Sequence, residues 1–281
     1  MPELPEVETI RLGLKKYIVG KTIEDVEVRL PKILSGNTKD ITGARIKDVR
    51  RFGKGLVIDL DNGYSIAVHI KLTGQLIYQD EKVSKVSKVS KGKVGTLPNK
   101  FTHVIFHLNK NAKLYYNDLR QFGWIKIVQS SKLKDQSFFK DLGPEFFKDL
   151  DLEKFKIILS KSNLAIKVLI MDQKKMSGVG NIYANDGLFD AVLDPRRKAK
   201  TLTDAEIKKL YDSIYKVLKK GLENGGASEL NFVNALGQEG KYQHHFLAYG
   251  KDGEKCVRCG SIIKKIKLGG RGTYFCPKCQ K

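Results

Sequence analysis

Four cysteines near the end of the 281-residue chain have the spacing of metal ligands. They are Cys256, Cys259, Cys276 and Cys279, two Cys-x2-Cys pairs separated by sixteen residues. Each pair can offer two thiolates to one tetrahedral Zn²⁺, and the intervening residues suit a β-hairpin. Two disulfides or four buried thiols are the alternatives, but the lack of a secretion signal and the clustering in a short, core-poor tail count against both. We predict one structural Zn²⁺, because four cysteines leave no coordination position for a substrate.

The residues around these cysteines are basic. Positions 251–281 contain nine Lys or Arg and two Asp or Glu. The glycines of the stretch KLGGRGTYF permit a tight turn, which would place Arg271 at the tip of the hairpin. A lone exposed arginine is usually only solvated, but at the tip of a basic zinc module it is a candidate for binding phosphate.

The opposite end of the chain begins MPELPEVE, with two prolines and three glutamates. Proline at the first helical position and acids in the first turn are ordinary features of a helix start. The alternative is chemical: Glu3 could transfer protons if its pKa is raised, and Glu6 would share its helix face one turn later. From this stretch alone we favour the ordinary helix start over a catalytic role.

Basic residues strongly outnumber acidic ones over the whole chain. It has 52 Lys and Arg against 31 Asp and Glu, a formal charge of +21 and a pI near 9.7. This excess predicts a polyanionic partner, nucleic acid first and an anionic membrane surface second. No apolar run approaches the ~20 residues of a membrane span, and no secretory signal opens the sequence. We therefore expect a cytoplasmic protein without a membrane partner.

Between its ends the sequence changes from a β pattern to a helical pattern. From about residue 21 to 130, short segments alternate or run apolar over strand lengths, separated by Gly, Asn and Asp. From about residue 141 to 223, apolar residues recur at helical spacing, and one segment opens on Thr203 with Glu206 as a capping box. The pattern predicts a β-sandwich or barrel, then a helical region that ends in the zinc hairpin, with a hinge near residues 129–137.

Two glycine-containing motifs could bind phosphate. SGVGNIYANDGLF at 177–189 puts Asn181 where a helix could start, and backbone N–H groups at a helix amino terminus bind anions. RRFGKGL at 50–56 puts Lys54 between two glycines, although a solvated lysine at a strand turn is the commoner case. A third segment, VSKVSKVSKGK at 83–93, is a repeat that could be a basic flap over a polyanion; we favour a solvated, mobile loop.

Seven motifs occur in a characteristic order. They are MPELPEVET at 1–9, GKGL at 53–56, HIKLTG at 69–74, DLRQFG at 118–123, LGPE at 142–145, GVGNIYA at 178–184 and GRGTYFCPKCQ at 270–280. Together they resemble the bacterial formamidopyrimidine-DNA glycosylases from the first residue to the last. The leucine in PELPE resembles the residue found at this position in the formamidopyrimidine-DNA glycosylase branch, whereas the related endonuclease VIII branch usually carries glycine there.

The resemblance implies an α+β multi-domain fold. We expect a catalytic β-sandwich domain with an N-terminal helix at residues 1–132. A helix-two-turn-helix DNA-binding domain would follow at 133–245, and a β-hairpin zinc finger with the four cysteines at 246–281.

The resemblance also gives the amino terminus a chemical role. In this family the initiator methionine is removed, and Pro2 then offers a secondary amine that attacks C1′ of a damaged nucleotide. The base leaves, and the amine stays bound to the opened sugar as an iminium from which the phosphates are eliminated. Glu3 would handle the protons, Glu6 would position water or the amine, and Lys167 matches a lysine near the family's active site.

The same resemblance assigns three phosphate contacts. Lys54, Asn181 and Arg271 fall where the family holds the phosphates that flank the lesion, and Lys54 and Arg271 are counted with the catalytic groups. These contacts would bend the duplex and help to flip the damaged nucleotide out of the stack.

Three further residues match those that fill the gap left by the flipped base. Leu72 stands where methionine is usual, and an aliphatic wedge can still support a kink. Arg120 would pair with the widowed base and Phe122 would stack. From the residues alone, Arg120 could form an ordinary salt bridge, and for Phe122 we favour a core aromatic.

Some positions depart from the family pattern. Lys71 lies next to the wedge, Leu119 interrupts DLR, and Val168 follows IK where proline is common. None of these departures removes a catalytic group. The repeat at 83–93 is longer than the family leads us to expect, and we place the lesion-reading loop within 234–245.

The predicted function is a bifunctional DNA glycosylase and AP lyase of base-excision repair. It would remove 8-oxoguanine and formamidopyrimidines from duplex DNA and nick the strand by β,δ-elimination, as a monomer in a bacterial-type cytosol or nucleoid. The alternatives are an endonuclease VIII-like glycosylase for oxidised pyrimidines, a non-catalytic zinc-finger DNA-binding protein, and an amino-terminal-proline tautomerase. The last would have no use for the basic chain or the zinc finger.

Overall fold

The computed structural model describes residues 1–86 and 89–281 and divides them into two compact units. The amino-terminal unit consists of Met1–Lys140 and Leu222–Gln243, and the carboxyl-terminal unit of Asp141–Gly221 and His244–Lys281. Each unit is therefore built from two separate pieces of the chain. The predicted boundaries after residues 132 and 245 stay predictions.

In the described residues, a region of mostly strands is followed by a region of mostly helices and then by a hairpin, as the patterns indicate. The helices are α1 (Leu4–Ile18), α2 (Glu81–Val86), α3 (Ser137–Lys140), α4 (Leu152–Ser160), α5 (Ile166–Ile170), α6 (Asn181–Ala191) and α7 (Asp204–Glu223). The strands are β1 (Ile23–Val28), β2 (Leu34–Ser35), β3 (Ile46–Phe52), β4 (Gly55–Leu60), β5 (Tyr64–His69), β6 (Gly74–Gln79), β7 (Thr102–Leu108), β8 (Ala112–Asp118), β9 (Trp124–Gln129), β10 (Lys264–Leu268) and β11 (Arg271–Phe275).

Two sheets and one helix share the core of the amino-terminal unit. One sheet has the order β1-β7-β8-β6 and the other β2-β9-β5-β4-β3, and all pairs are antiparallel except β2 with β9. Apolar side chains of both sheets and of α1 form one buried cluster, to which Ile10, Ile58 and Phe106 belong. The predicted β-sandwich with an N-terminal helix is confirmed.

Strands β4 and β5 are covered on both faces, which explains the continuous apolar run GLVIDL. Ile58 and Ile66 face the shared core, whereas Val57 and Ala67 pack with Leu133 in a separate cluster on the opposite face. A strand buried on both faces cannot alternate between apolar and polar residues.

The carboxyl-terminal unit contains α4 to α7 and the hairpin β10–β11. Helix α7 starts with the predicted capping box: the Glu206 carboxylate accepts the Thr203 N–H at 2.8 Å, and the Thr203 hydroxyl accepts the Glu206 N–H at 3.3 Å. In the hairpin, Leu268 pairs with Arg271 across a two-residue turn. None of the helices in the described part of the chain is both long and apolar enough to cross a membrane.

The repeat at 83–93 only partly fits the solvated loop that we favoured. Its first residues belong to α2, in which Val83 is buried, and residues 87 and 88 lie outside the described residues. Residues 89–93 make hydrogen bonds and an ion pair with the segment 226–240 of the same unit. A packed segment was not predictable here because a three-residue polar repeat has neither helical nor strand periodicity.

Candidate active site and nucleic-acid contacts

The amino terminus is tied into the fold. Pro2 and Glu3 are buried ahead of α1, while Met1 is exposed. The Glu6 carboxylate accepts the Glu3 N–H through Oε2 at 2.8 Å and the Ala227 N–H through Oε1 at 2.7 Å. Glu6 therefore joins the residue after Pro2 to a segment 221 residues away in sequence, so this end of the chain is not one of the frayed termini usual in proteins.

The turn between β3 and β4 carries Lys54 and is attached to α1. Arg51 donates from Nε to Glu8 Oε2 at 2.8 Å and from a terminal nitrogen to the Gly53 carbonyl at 2.9 Å. Gly53 has φ +53°, and Lys54 is only 4% exposed. The solvated-lysine alternative is wrong, because the lysine is held in the fold beside the helix that begins at the amino terminus.

Glu8 keeps its charge in this arrangement. Burial would raise the pKa of Glu8, but hydrogen bonds from Arg11 and Arg51 outweigh it and hold that pKa below its ordinary value. The ionised carboxylate thus fixes Arg51, and Arg51 fixes the backbone next to Lys54.

His69, at the end of β5, is a buried neutral ring near Lys54. Its Nδ1 accepts the Lys71 N–H at 3.0 Å, and its ring meets the edge of Phe138 at 4.6 Å between centroids. Burial first, and then the charges of Lys71 and Lys54, lower the pKa of His69 to about 3. Lys71 has φ +48°, so the departure from the family pattern at this position lies in a left-handed turn.

The loops of the three predicted gap-filling residues are joined by one carboxylate. Leu72 lies in the β5–β6 loop, and Arg120 and Phe122 lie in the β8–β9 loop. Asp118 Oδ1 accepts the Thr73 hydroxyl at 2.5 Å, and the Arg120 N–H donates to the same hydroxyl at 3.0 Å. The structure therefore connects the two loops through Thr73 and Asp118.

The second oxygen of Asp118 holds the far end of the β8–β9 loop. Oδ2 accepts the Gly123 N–H at 2.8 Å. A Cβ atom at Gly123 would lie 1.9 Å from the Tyr116 hydroxyl, so no larger residue fits there. This fixed loop presents an exposed pair in which the Arg120 guanidinium lies 4.7 Å from the ring centroid of Phe122. Phe122 is 54% exposed, and the core-aromatic alternative is wrong.

In the carboxyl-terminal unit, Lys167 joins α6 to the zinc hairpin. Its buried ammonium donates to Asn181 Oδ1 at 2.7 Å, to the Gly272 carbonyl at 2.8 Å and to the Thr273 hydroxyl at 2.8 Å. Asn181 is the first residue of α6, as predicted. Since Gly272 follows Arg271 directly, one ammonium holds both the side chain of Asn181 and the backbone next to Arg271, the two predicted phosphate contacts of this unit.

The hairpin tip has the predicted glycine turn. Gly269 and Gly270 have φ +56° and +75°, which suits a two-residue turn between β10 and β11, and Arg271 follows with an exposed side chain. A Cβ atom at Gly269 would lie 2.8 Å from Val168. Val168, where the family commonly has proline, thus packs against the tip of the hairpin.

The four cysteine sulfurs converge. Cys256 Sγ lies 3.9 Å from Cys279 Sγ, Cys259 Sγ lies 3.5 Å from Cys276 Sγ, and all four sulfurs lie within 4.8 Å of one another. A tetrahedral zinc with Zn–S bonds of about 2.3 Å requires sulfurs about 3.8 Å apart. The donor set fits the predicted single structural Zn²⁺.

Three family models cover most of the chain. The formamidopyrimidine-DNA glycosylase N-terminal domain matches residues 1–125, the formamidopyrimidine-DNA glycosylase H2TH domain matches 142–232, and a zinc finger found in FPG and IleRS matches 253–281. The chain belongs to the formamidopyrimidine-DNA glycosylase family. The resemblance that we based on seven motifs is confirmed.

Relatives of this family match the chain from end to end. A formamidopyrimidine-DNA glycosylase of Pelotomaculum thermopropionicum is 41% identical over 290 residues, which span 100% of this chain and 99% of the relative. A Lactococcus lactis FPG mutant in complex with Fapy-dG containing DNA is 33% identical, with a TM-score of 0.87 and full coverage of both chains. The L. lactis Fpg in complex with an abasic site containing DNA has the same TM-score and identity over 99% of both chains.

Sequence reasoning on this formamidopyrimidine-DNA glycosylase family member missed several supporting residues. Asp118, Thr73 and His69 all lie inside the quoted motifs, so motif membership was the available signal. Ala227 carried no signal, because its contribution to the site is a backbone N–H that any residue except proline can supply.

Proposed function

We propose that this protein is a bifunctional DNA glycosylase and AP lyase that removes oxidised purines from damaged duplex DNA. The observation that carries the proposal is the anchored amino terminus, in which Pro2 is buried and Glu6 accepts the N–H groups of its neighbour Glu3 and of Ala227. Membership of the family supports the same chemistry and does not favour a non-catalytic zinc-finger protein or a tautomerase.

Pro2 is the nucleophile in this proposal. Once Met1 is removed, the secondary amine of Pro2 attacks C1′ of the damaged nucleotide and the bond from C1′ to the base breaks. The C1′–O4′ bond then opens to give an iminium between Pro2 and the sugar. The positive charge acidifies the adjacent C–H bonds, so the 3′ phosphate and then the 5′ phosphate leave by successive eliminations.

Glu3 and Glu6 have different tasks. Glu3 delivers a proton to the sugar oxygen as the ring opens, which requires a carboxyl group within reach of the reacting sugar. Glu6 already accepts two backbone N–H groups, so its oxygens are engaged in positioning. Glu6 thus supports the reacting residues, and Glu3 is the one that moves protons.

Phosphate binding comes from both units. In the carboxyl-terminal unit, Asn181 Oδ1 accepts from Lys167, so the group of this side chain that would donate to a phosphate is its amide nitrogen. Arg271 adds a guanidinium at an exposed hairpin tip, and Lys54 adds an ammonium from the β3–β4 turn of the other unit. Lys167 is a positioning residue in this scheme.

The joined loops fill the gap that the flipped base leaves. Leu72 enters as the apolar wedge, Phe122 stacks on an unpaired base, and Arg120 hydrogen-bonds to it. The shared Asp118 carboxylate supports this assignment, because it holds both loops in one arrangement without using any of the three side chains.

Formamidopyrimidines and 8-oxoguanine are the proposed lesions. The solved relative with Fapy-dG containing DNA supports an oxidised purine. An endonuclease VIII-like preference for oxidised pyrimidines is not favoured. We place the protein in the cytosol, with DNA of the nucleoid, and propose that it acts as a monomer.

Borohydride trapping tests the mechanism. The chain without Met1 is mixed with duplex DNA containing 8-oxoguanine or an abasic site, and the iminium is reduced to a stable covalent complex. We expect trapping with the unmodified chain and its loss in Pro2→Gly. Glu3→Gln should lower the rate at which the damaged base is excised by at least roughly 10²-fold, the loss expected on removing a general acid.

Glu24→Gln is the matched control, because Glu24 is an exposed acid on β1. This variant should trap like the unmodified chain, and undamaged duplex should give no complex. A Pro2→Gly variant that traps and nicks at the unmodified rate would overturn the assignment of the nucleophile.

A further inference from the structure

The final part of the VSK repeat makes hydrogen bonds and an ion pair with a loop of the same unit. We call residues 89–93 the insert and residues 226–240 the return loop. The Ser90 N–H donates to the Gly237 carbonyl at 2.8 Å, and the Ser90 hydroxyl donates to Glu239 Oε1 at 2.7 Å. Val89 packs so closely on Gly237 that a Cβ atom there would lie 2.9 Å from it. Backbone, hydroxyl and apolar contacts thus join the two segments.

Lys93 adds the charged part of the contact. Its ammonium hydrogen-bonds to the Ser228 carbonyl and lies 3.2 Å from Glu239 Oε2. The Ser90 hydrogen bond first, and then Lys93, hold the pKa of Glu239 below its ordinary value against the opposing effect of burial. The side chain of Lys93 is 19% exposed and that of Glu239 is 42% exposed, so the ion pair is partly open to solvent, and the hydrogen bond to buried Ser228 is the better shielded contact.

Ser228 is the point at which the return loop closes on itself. Its buried hydroxyl accepts the Gly240 N–H at 2.8 Å and donates to the Phe232 carbonyl at 2.8 Å. The Lys93 ammonium therefore binds the residue on which both ends of the loop converge.

The other side of the return loop holds the amino terminus. Ala227, next to Ser228, donates its N–H to Glu6, and Glu6 accepts the N–H of Glu3. A Cβ atom at Gly226 would lie 2.9 Å from Glu6 Cγ, so the loop backbone fits closely against this carboxylate. A continuous set of contacts runs from Lys93 through residues 228 and 227 to the residue beside Pro2.

We propose that the insert is a positioning clamp for catalysis: it holds the return loop where Ala227 supports Glu6, and so sets the rate at which the amine of Pro2 reacts. The inference rests on the proposed function. It makes Lys93, Ser90 and Glu239 positioning residues that act through the loop and touch no reacting atom.

The clamp accounts for the charges of the insert better than a basic flap over DNA does. Lys93 is already bound to a carboxylate and a carbonyl, so a phosphate would have to displace both. Lys91, two residues away, is exposed and provides a matched control for charge.

The test compares Lys93→Met with Lys91→Met in the full chain without Met1. Turnover is measured on duplexes with 8-oxoguanine and with a preformed abasic site. For Lys93→Met we expect kcat to fall roughly tenfold on both substrates, the size expected from losing a charge-assisted hydrogen bond, with KM within about twofold. Lys91→Met should retain the unmodified kcat on both.

A double-mutant cycle guards against a general loss of stability. Glu239→Gln should lower kcat in the unmodified chain and have little further effect in Lys93→Met, because the pair acts as one contact. If Lys93→Met does not fold, the Ser90→Ala and Glu239→Gln pair carries the same test. Both sets of variants are compared by kcat and KM separately, because a general loss of folded protein would not lower kcat selectively through these contacts.

The outcomes separate the two proposals. Equal kcat in Lys93→Met, Lys91→Met and the unmodified chain overturns the clamp, and so do equal losses in the two lysine variants or a loss confined to KM. Absence of trapping with the unmodified chain overturns the proposed function instead.

Discussion

His69 is a residue whose burial sets its charge. It is 4% exposed, with Phe138 and Trp124 against its ring, and its pKa is lowered to about 3. A protonated ring here would lie near the ammonium groups of Lys54 and Lys71. Because the ring stays neutral, it adds no positive charge that would repel the ammonium group of Lys54.

The unfolding free energy should therefore depend on pH through His69. Below its ordinary pKa of 6.5 the unfolded chain binds a proton, whereas folded His69 stays neutral down to about pH 3. The contribution of His69 to the unfolding free energy is fully present above pH 6.5 and is lost as the pH falls. At pH 5 about 2 kcal/mol of it is lost. Urea unfolding, followed by the fluorescence of the single tryptophan, Trp124, measures it.

In His69→Gln the dependence on pH between 7 and 5 should flatten by that amount. His244→Gln, at an exposed histidine, is the control and should keep the unmodified slope. Identical slopes for His69→Gln and the unmodified chain would show that His69 titrates normally.

At the scale of elements, the zinc hairpin and α6 depend on one another. Lys167 binds Asn181 on α6 and two residues of β11, and Asn185 of α6 accepts the Tyr274 N–H at 2.8 Å. The hairpin has few apolar residues of its own, so these contacts and the metal must hold it in place. Loss of either should affect both elements.

Lys167→Met tests this dependence. Its removal leaves one buried acceptor, on Thr273, and two half-buried acceptors, on Asn181 and Gly272, without their charged donor. The unfolding free energy should fall by about 2–4 kcal/mol. Zinc should also pass to a competing chelator faster than in the unmodified chain. Lys219→Met, at an exposed lysine of α7, should change neither quantity. Unchanged zinc release in Lys167→Met would mean that the hairpin is held by the metal alone.

The elements predicted correctly are those with a local signal. Glycine-bounded apolar segments predicted β3 to β9, the capping box predicted the start of α7, and the cysteine spacing predicted the hairpin. Contacts between distant residues had no such signal: the Glu6 partner Ala227 lies 221 residues away, and the Lys93 partner Ser228 lies 135 away. Strand β2 has two residues, too few to show any period. The proposed site residues, with the positioning groups Glu6 and Lys167, were therefore predictable from motifs, whereas their distant partners such as Ala227 and Ser228 were not.

At the scale of the whole molecule, the charge of +21 governs association with DNA. Each phosphate neutralised by Lys or Arg releases a counterion, so affinity should fall steeply with salt. The measurement is the slope of log Kobs against log salt concentration for duplex DNA.

Arg271→Ala should reduce the magnitude of that slope by about one, because one phosphate contact is lost. Lys278→Ala removes the same charge from another exposed position of the zinc module and should leave the slope nearly unchanged. Equal changes in the two variants would indicate that only the overall charge of the module matters, with no specific contact at the hairpin tip.

The division of each unit into two pieces has a consequence for synthesis on the ribosome. When the first 140 residues have emerged, the amino-terminal unit still lacks Leu222–Gln243, and with them the Ala227 N–H that Glu6 accepts. The nascent sandwich can collapse early, but its amino-terminal end cannot be anchored until the segment that ends at Gln243 has emerged, when nearly seven-eighths of the 281 residues have been translated. A chain released before that point would thus carry Pro2 without the contact that ties its neighbour Glu3, through Glu6, to the rest of the unit.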